Sequence, residues 1–403
     1  MSGSALPVSG IYFYDDAAAR SFEPFALTRP ACELRAGALL LRERWEFALG
    51  LKSAGFMSGE HLAHFDEPGA PSAAHRSLPA GAVVVNSRCA VSLARLSPSD
   101  VFIVDGEVAA VTLAKPVDVD KFESGAFKLE SLTNTDGRRS EVAGRWIHNV
   151  WDFIATLQAT RGADIPPRAA RTGARTGGTS GVFVEEGATV ESHVFFDTSA
   201  GPVLVRKGAT VQAFTRMVGP CVVGNDSIVG TDRISGSSIG DGCRVHGELS
   251  ASILLGHSNK SHDGFVGHSY LGRWVNLGAG TTTSNLKNTY GTVSLWTPRG
   301  EKDTGLQFLG AMFGDHVKTG IGTQLNTGTV IGAGANIFDH MPEKAVPPFA
   351  WGDGKPYDAW KLPKFLEVAR HVMGRRQMEM SDRMARQLGT AYKERWKVTR
   401  KRA

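Results

Sequence analysis

The chain has 403 residues, 42% of them hydrophobic, and a net charge of +5. That length suffices for two or three domains, each able to bury a core. Four scattered cysteines and the lack of any run near the roughly 20 apolar residues that cross a bilayer argue against a disulfide framework and a transmembrane helix.

Residues 11–14 form a short apolar strand ending at Asp15 and Asp16. The opening MSGSALPVSG has neither a basic start nor an apolar run, so no signal peptide is expected, and isolated thiols fit a reducing cytoplasm. The segment 33–48, ELRAGALLLRERWEFA, sets Leu34, Ala38, Leu41 and Trp45 on one face and predicts a helix. Residues 83–85 and 101–104 read as strands. The second meets Asp105-Gly106 and then 108–113, a hairpin with a tight turn. These elements predict an α/β domain over 1–145. Residues 146–158, WIHNVWDFIATLQ, predict a helix, and 161–181, rich in Arg, Gly and Pro, predict a linker, so 146–181 separates two domains.

Beyond that the period changes. Val205, Val211, Met217, Val223 and Val229 are six apart. So are Ile239, Val245 and Ala251; Leu271, Leu277 and Thr283; and Phe313, Thr319, Leu325, Ile331 and Ile337. Six is neither the strand period of 2 nor the helix period of 3.6. It marks short strands joined at regular corners, about 18 residues to a three-sided coil. Of the 47 glycines, 27 lie between Gly181 and His340, many just after an inward residue, where a corner resists a Cβ. A parallel β-helix is expected over 182–345. The segment 292–309 loses the period and reads as a loop. Residues 365–373 and 380–396 read as helices within a basic tail, 346–403. From 361 onward there are 13 Lys/Arg against 4 Asp/Glu, a net of +9. Such a tail is more simply a solvated helix face than a nucleic-acid arm, and no nucleic-acid partner is expected.

One coil breaks the small-and-apolar pattern. Residues 259–288, NKSHDGFVGHSYLGRWVNLGAGTTTSNLKN, concentrate His262, Asp263, His268, Asn276, Asn285 and Lys287 on a rigid scaffold, which is how a binding surface is built. The run from His262 through Phe265 to Asn276-Leu277-Gly278-Ala279-Gly280-Thr281 resembles the acetyltransferase half of the GlmU family, with the same spacing and no gap. The runs at 27–46, LTRPACELRAGALLLRERWE, and at 284–291, SNLKNTYG, resemble a GlmU-like sugar nucleotidyltransferase family. The resemblance implies a left-handed parallel β-helix, a homotrimer, and a CoA-dependent acyltransferase acting on an amino sugar or amino-sugar phosphate with acetyl-CoA as co-substrate. His262 takes the place of the general base and Asn276 of an asparagine that holds the sugar and acyl group. Ala279, Phe265, Asn285 and Lys287 become acyl-CoA or substrate contacts. Two departures bear on the acceptor: Phe265 stands where the family has tyrosine, and Ser250 where it has a phosphate-side lysine.

A neutral imidazole can take the proton an amine loses as it attacks a thioester, and asparagine or backbone N–H groups can stabilise the oxyanion. A rival is a zinc hydrase resembling γ-type carbonic anhydrases, with His257 and His262 as ligands and His246 or His268 as a third. A non-catalytic trimeric scaffold is another. In the α/β domain the resemblance implies a nucleotidyltransferase using UTP or dTTP and Mg2+, and the lack of a Gly-rich loop after the first strand makes it a degenerate or divergent one. Thr28, Arg29 and Arg35 are the phosphate-binding candidates there, the two arginines flanking an expected helix start, with ion pairs to Glu33 or Asp15 as the structural alternative.

Overall fold

A computed structural model describes residues 9–133, 136–177, 179–353 and 356–396. It forms two compact units, one of residues 1–22, 28–150 and 381–391, the other of 23–27, 151–380 and 392–403.

The first unit is built on six strands: β1 (Gly10–Tyr14), β2 (Ser53–Met57), β3 (Ala82–Asn86), β4 (Val101–Val104), β5 (Glu107–Thr112) and β6 (Arg139–Glu141). They lie in the order β6-β4-β5-β3-β1-β2. β1 runs parallel to β2 and β3, so the carboxyl ends of these three strands share one edge. β5 is antiparallel to β3 and β4. The β4–β5 turn has Asp105 at φ 51° and Gly106 at φ 79°, the left-handed pair that a two-residue hairpin requires. The helix expected over 33–48 is shorter: α1 spans Leu41–Leu49. Gly37 turns left-handed, at φ 69°, and folds Arg35–Ala36 back on Leu39–Leu40 as a small hairpin. α1 then starts where the Glu43 carboxylate accepts the Leu40 N–H at 2.9 Å, and it ends at left-handed Gly50.

In the second unit the first part of the expected linker, as far as Thr172, is instead helical. After a short turn at Asp152–Ala155, α2 spans Leu157–Thr172 and includes Pro166 and Pro167. Leu157, Arg161, Ile165 and Ala169, four apart, make its buried stripe. Burial of that stripe outweighs the local breakers. Trp146, expected in a helix, lies in a strand paired with residues 89–91.

The solenoid follows. Ten strands stack on its first face, from Arg175–Thr176 to Ala345–Val346, and shorter stacks form two other faces. Val205, Val211, Val223, Val229, Ile239, Leu271, Leu277, Phe313, Ile331 and Ile337 fill one continuous apolar column. Coil length varies: Val203 pairs with Cys221, 18 residues on, but Ser238 pairs with Ile253, 15 on. The strict six-residue period therefore slips. Leu249 enters the core in place of Ala251, which sits at φ 45° on a corner. The aperiodic segment leaves the column as a hairpin, Ser294–Thr297 against Gly300–Asp303. Two helices close the described chain, α3 (Leu362–Gly374) and α4 (Asp382–Glu394). None of the described helices is long and apolar enough to cross a membrane.

Candidate functional site

The polar coil is organised around an inward lysine. Lys260 stands in the core column between Val245 and Leu277, and is 2% exposed. Its ammonium donates to the carbonyls of His246 at 2.7 Å and His262 at 2.8 Å. Burial pushes its pKa down to about 8. The next coil holds the same corner from below: the Gly280 N–H donates to the Asp263 carbonyl at 3.0 Å. Gly264 sits at φ +122°, and a Cβ there would stand 2.3 Å from the Thr281 carbonyl, so the corner needs glycine. The result is a fixed backbone that presents an exposed His262 side chain.

The following coils stack their corners under it. Gly278-Ala279-Gly280 comes first, then Gly320-Ile321-Gly322, linked by a Gly322 N–H to Ala279 carbonyl bond at 2.7 Å. Ile321 is 84% exposed. On the outward side of the second face Asn259, Asn276 and Lys318 form a row. The Asn259 amide donates to Asn276 at 2.9 Å, and Asn276 is bridged to Lys318 in the next coil. The Lys318 ammonium reaches the His316 carbonyl at 3.3 Å, and burial lowers its pKa to about 8.

On the third face the Asn285 amide nitrogen lies 2.8 Å from Nδ1 of His268, whose ring stacks against Phe308 at 5.3 Å. Burial first, then the nearby Arg161 charge, hold the His268 pKa below its ordinary value. The Phe265 ring lies against Gly267, where a Cβ would be 2.4 Å from it. Lys287 is directed elsewhere: its ammonium bonds the Thr292 carbonyl at the base of the ejected hairpin. The sequence candidates thus divide. His262, Asn276 and Ala279 share one edge of the solenoid, while Phe265 and Asn285 lie with His268 on the adjacent face. Sequence reasoning did not single out Lys260. The signal was its place six residues from both Leu254 and Val266.

The histidines proposed for zinc do not converge within the chain. His257 stacks on Trp274 at 4.4 Å, and His246 Nδ1 is 3.6 Å from Asp263. Among the described residues no three His, Cys, Asp or Glu side chains form a cation cradle.

In the first unit Arg29 is buried and ion-paired through both nitrogens with Glu67, at 2.9 and 3.2 Å. Arg35 donates to the Ala38 carbonyl at 2.6 Å, and lies in the small hairpin rather than at a helix start. The Thr28 carbonyl accepts from Gln387 at 3.2 Å. Glu33 instead accepts from Arg42 at 2.5 Å. At the end of β1, Asp16 is gripped by Arg88, with the shortest contact 2.7 Å, and by Asn86. Asp15 is buried, accepts from Ser58 at 2.7 Å, and has its pKa raised by burial. The Arg88 guanidinium already neutralises Asp16, and Asp15 is held by Ser58 and the Ala31 N–H, so as placed this pair does not fit a magnesium ion. A pocket of about 530 Å³ opens beyond the carboxyl end of β2, lined by Ser58, Glu60, His75, Arg76 and Glu123 among others.

Residues 11–169 match the family model described as sugar nucleotidyl transferase. Over 91 residues the chain is 35% identical to a bifunctional sugar-1-phosphate nucleotidylyltransferase/acetyltransferase of Sulfurisphaera tokodaii, 23% of each chain. Over 90 residues it is 34% identical to the bifunctional protein GlmU of Methanococcus vannielii, 22% of each. Over 163 residues it is 27% identical to that of Bartonella quintana, 38% of this chain and 31% of the other. The chain therefore spans about a quarter to a third of the length of these relatives. The acetyltransferase domain of PglB from Neisseria gonorrhoeae is 14% identical, with 58% of this chain and 75% of that one covered, at a TM-score of 0.18.

Proposed function

Taking the chain as GlmU-like, we propose that its solenoid is a CoA-dependent N-acyltransferase for an amino sugar or amino-sugar phosphate. The observation that carries this is the exposed His262 side chain on a corner held by Lys260 and Gly280, with Asn276 and Ala279 in the coil stacked on it. The relatives named as nucleotidylyltransferase/acetyltransferases support the same class.

In this reading the acceptor amine attacks the thioester carbonyl of acetyl-CoA. The new N–C bond forms as His262 takes the amine proton. The C–S bond then breaks, and the departing thiolate takes that proton back from the imidazolium. No covalent enzyme intermediate is needed. Asn276 holds the sugar and acyl group. Ala279, Phe265, Asn285 and Lys287 contact the acyl-CoA. The active assembly is a homotrimer, which sedimentation tests directly.

The deciding experiment is acetyl-CoA turnover against glucosamine-1-phosphate and a panel of amino sugars. The His262→Ala variant should lose about 10²- to 10⁴-fold in kcat while keeping its fold. Full activity in that variant removes His262 from the role of base.

The family-model match over 11–169 favours a second activity, sugar-1-phosphate nucleotidyl transfer, in the first unit. The pocket beyond β2 has the size and the strand-end location of a small-molecule site. Release of pyrophosphate from UTP or dTTP with a sugar phosphate tests it, and none on any pair rejects it.

A further inference from the structure

The second face of the solenoid carries a chain of polar side chains that starts one residue before His262. The Ser261 hydroxyl donates to Oδ1 of Asn259 at 2.5 Å. The amide nitrogen of Asn259 donates in turn to Oδ1 of Asn276 at 2.9 Å. All three side chains are half-buried. Asn259 and Asn276 stand side by side on consecutive coils, paired as a parallel bridge.

The direction of this chain decides what Asn276 can offer. One end of an asparagine amide only accepts and the other only donates. Asn259 takes the accepting end of Asn276. The backbone of Asn276 is engaged as well: its N–H donates to the Val317 carbonyl at 2.8 Å, and its carbonyl accepts from the Thr319 N–H at 3.1 Å. Among the described residues nothing accepts from its amide nitrogen. The ladder thus fixes the Cα. Asn259 sets the terminal torsion, which is otherwise broad and two-fold.

We infer that Asn259 and Ser261 are positioning residues that hold the Asn276 amide with its N–H donors toward the substrate, so that the group Asn276 meets is an oxygen acceptor and not the attacking amine. This rests on the acyl-transfer reading above. In that reading the oxygen best suited is the thioester carbonyl. As the amine nitrogen attacks, the carbonyl π pair moves onto that oxygen, and it returns when the C–S bond breaks. A donor set in advance stabilises the charge without turning at the moment of reaction. An amide free to rotate would spend part of its time oxygen-first and repel the same charge.

Two measurements on the full chain test this, one with turnover and one without. Asn259→Asp offers Asn276 only acceptor oxygens, so the Asn276 amide turns and shows its own oxygen to the substrate. For acetyl-CoA turnover against glucosamine-1-phosphate, kcat falls about 10²- to 10³-fold, the worth of one oxyanion donor, while KM stays within about twofold. Asn259→Ala frees the amide and loses about tenfold in kcat, the worth of one neutral hydrogen bond. Ser261→Ala loses less, and Ser261→Thr, which keeps the hydroxyl, restores it. A merely structural chain would lower the melting temperature of these variants and leave kcat alone. Side-chain amide exchange by NMR reads the orientation without substrate, the Asn276 resonances being those absent from Asn276→Asp. They exchange freely in wild type, and Asn259→Asp protects one of them. Should Asn259→Asp fail to fold, Asn259→Ala carries the kinetic test, and an unchanged kcat there overturns the inference. A protected Asn276 amide in wild type, or full activity in Asn259→Asp, means that Asn259 accepts from Asn276 and overturns it too. Free exchange in wild type with no turnover on any acceptor sinks the acyltransferase reading and leaves the donor orientation of Asn276 standing.

Discussion

Lys260 gives the sharpest test of the solenoid's interior. Its folded pKa of about 8 lies below the ordinary 10.5, because burial penalises the ammonium. The charged groups that act on it are Asp263 and Asp232, and both favour the charge. A depressed pKa on a base means the unfolded chain binds more protons between the two values. Stability from this group is therefore present above pH 10.5 and is lost as pH falls through 8. The shift corresponds to about 3 kcal/mol. Lys260→Met removes the titration, along with the bonds to the His246 and His262 carbonyls, whose loss does not depend on pH. The stability of wild type relative to the variant should thus rise by about 3 kcal/mol between pH 7 and pH 11, mostly between 8 and 10.5. Urea unfolding of both proteins across that range, followed by circular dichroism, measures the difference, and other titrating groups cancel in the comparison. Parallel curves at all pH values would refute a buried ammonium and, with it, the inside support of the His262 corner.

Other expectations follow from the same geometry. Burial raises the Glu23 carboxyl to about 7, and its Oε2 has no partner. A raised acid pKa stabilises fully below 4.5 and is lost as pH climbs through 7, so Glu23→Gln should stabilise the second unit by about 3 kcal/mol above pH 7 and by nothing at pH 4. Denaturation midpoints at pH 4, 6 and 8 check this. Arg29→Met strands a largely buried Glu67 and should cost the first unit about 3–5 kcal/mol in urea unfolding. Asn285→Asp puts a carboxylate beside Nδ1 of His268 and should raise that imidazole's pKa by about 1–3 units, read by NMR titration. An unchanged titration would mean the pair is not in contact.

The candidate site was legible where its residues obey the coil. The break from small and apolar residues at 259–288 marks His262, Asn276 and Asn285 in the sequence. The pairing of Asn285 with His268 was hidden, because it joins residues 17 apart in consecutive coils, and coil length is irregular, 18 residues in one coil and 15 in another. Arg29 looked available for phosphate, and its partner Glu67 is 38 residues away. Arg161 was set aside with Gly162, Pro166 and Pro167 as linker. Local breakers are strong signals, but the stripe 157, 161, 165 and 169 gains more from burial than those residues cost.

By itself the sequence determined the solenoid, its apolar column and the coil that carries polar side chains. Each follows from a period of six, and a period is a property of neighbours along the chain. The hairpin at Asp105-Gly106 was determined in the same way, since two left-handed residues select one turn. Only the tertiary structure decided which charges are engaged: Lys260 on two backbone carbonyls, Arg29 on Glu67, Asp16 on Arg88, and Arg161 with its Nε and Nη1 unpartnered. Those outcomes depend on which distant groups share a desolvated space. Desolvation and pairing are set by three-dimensional neighbours, which local spacing does not encode.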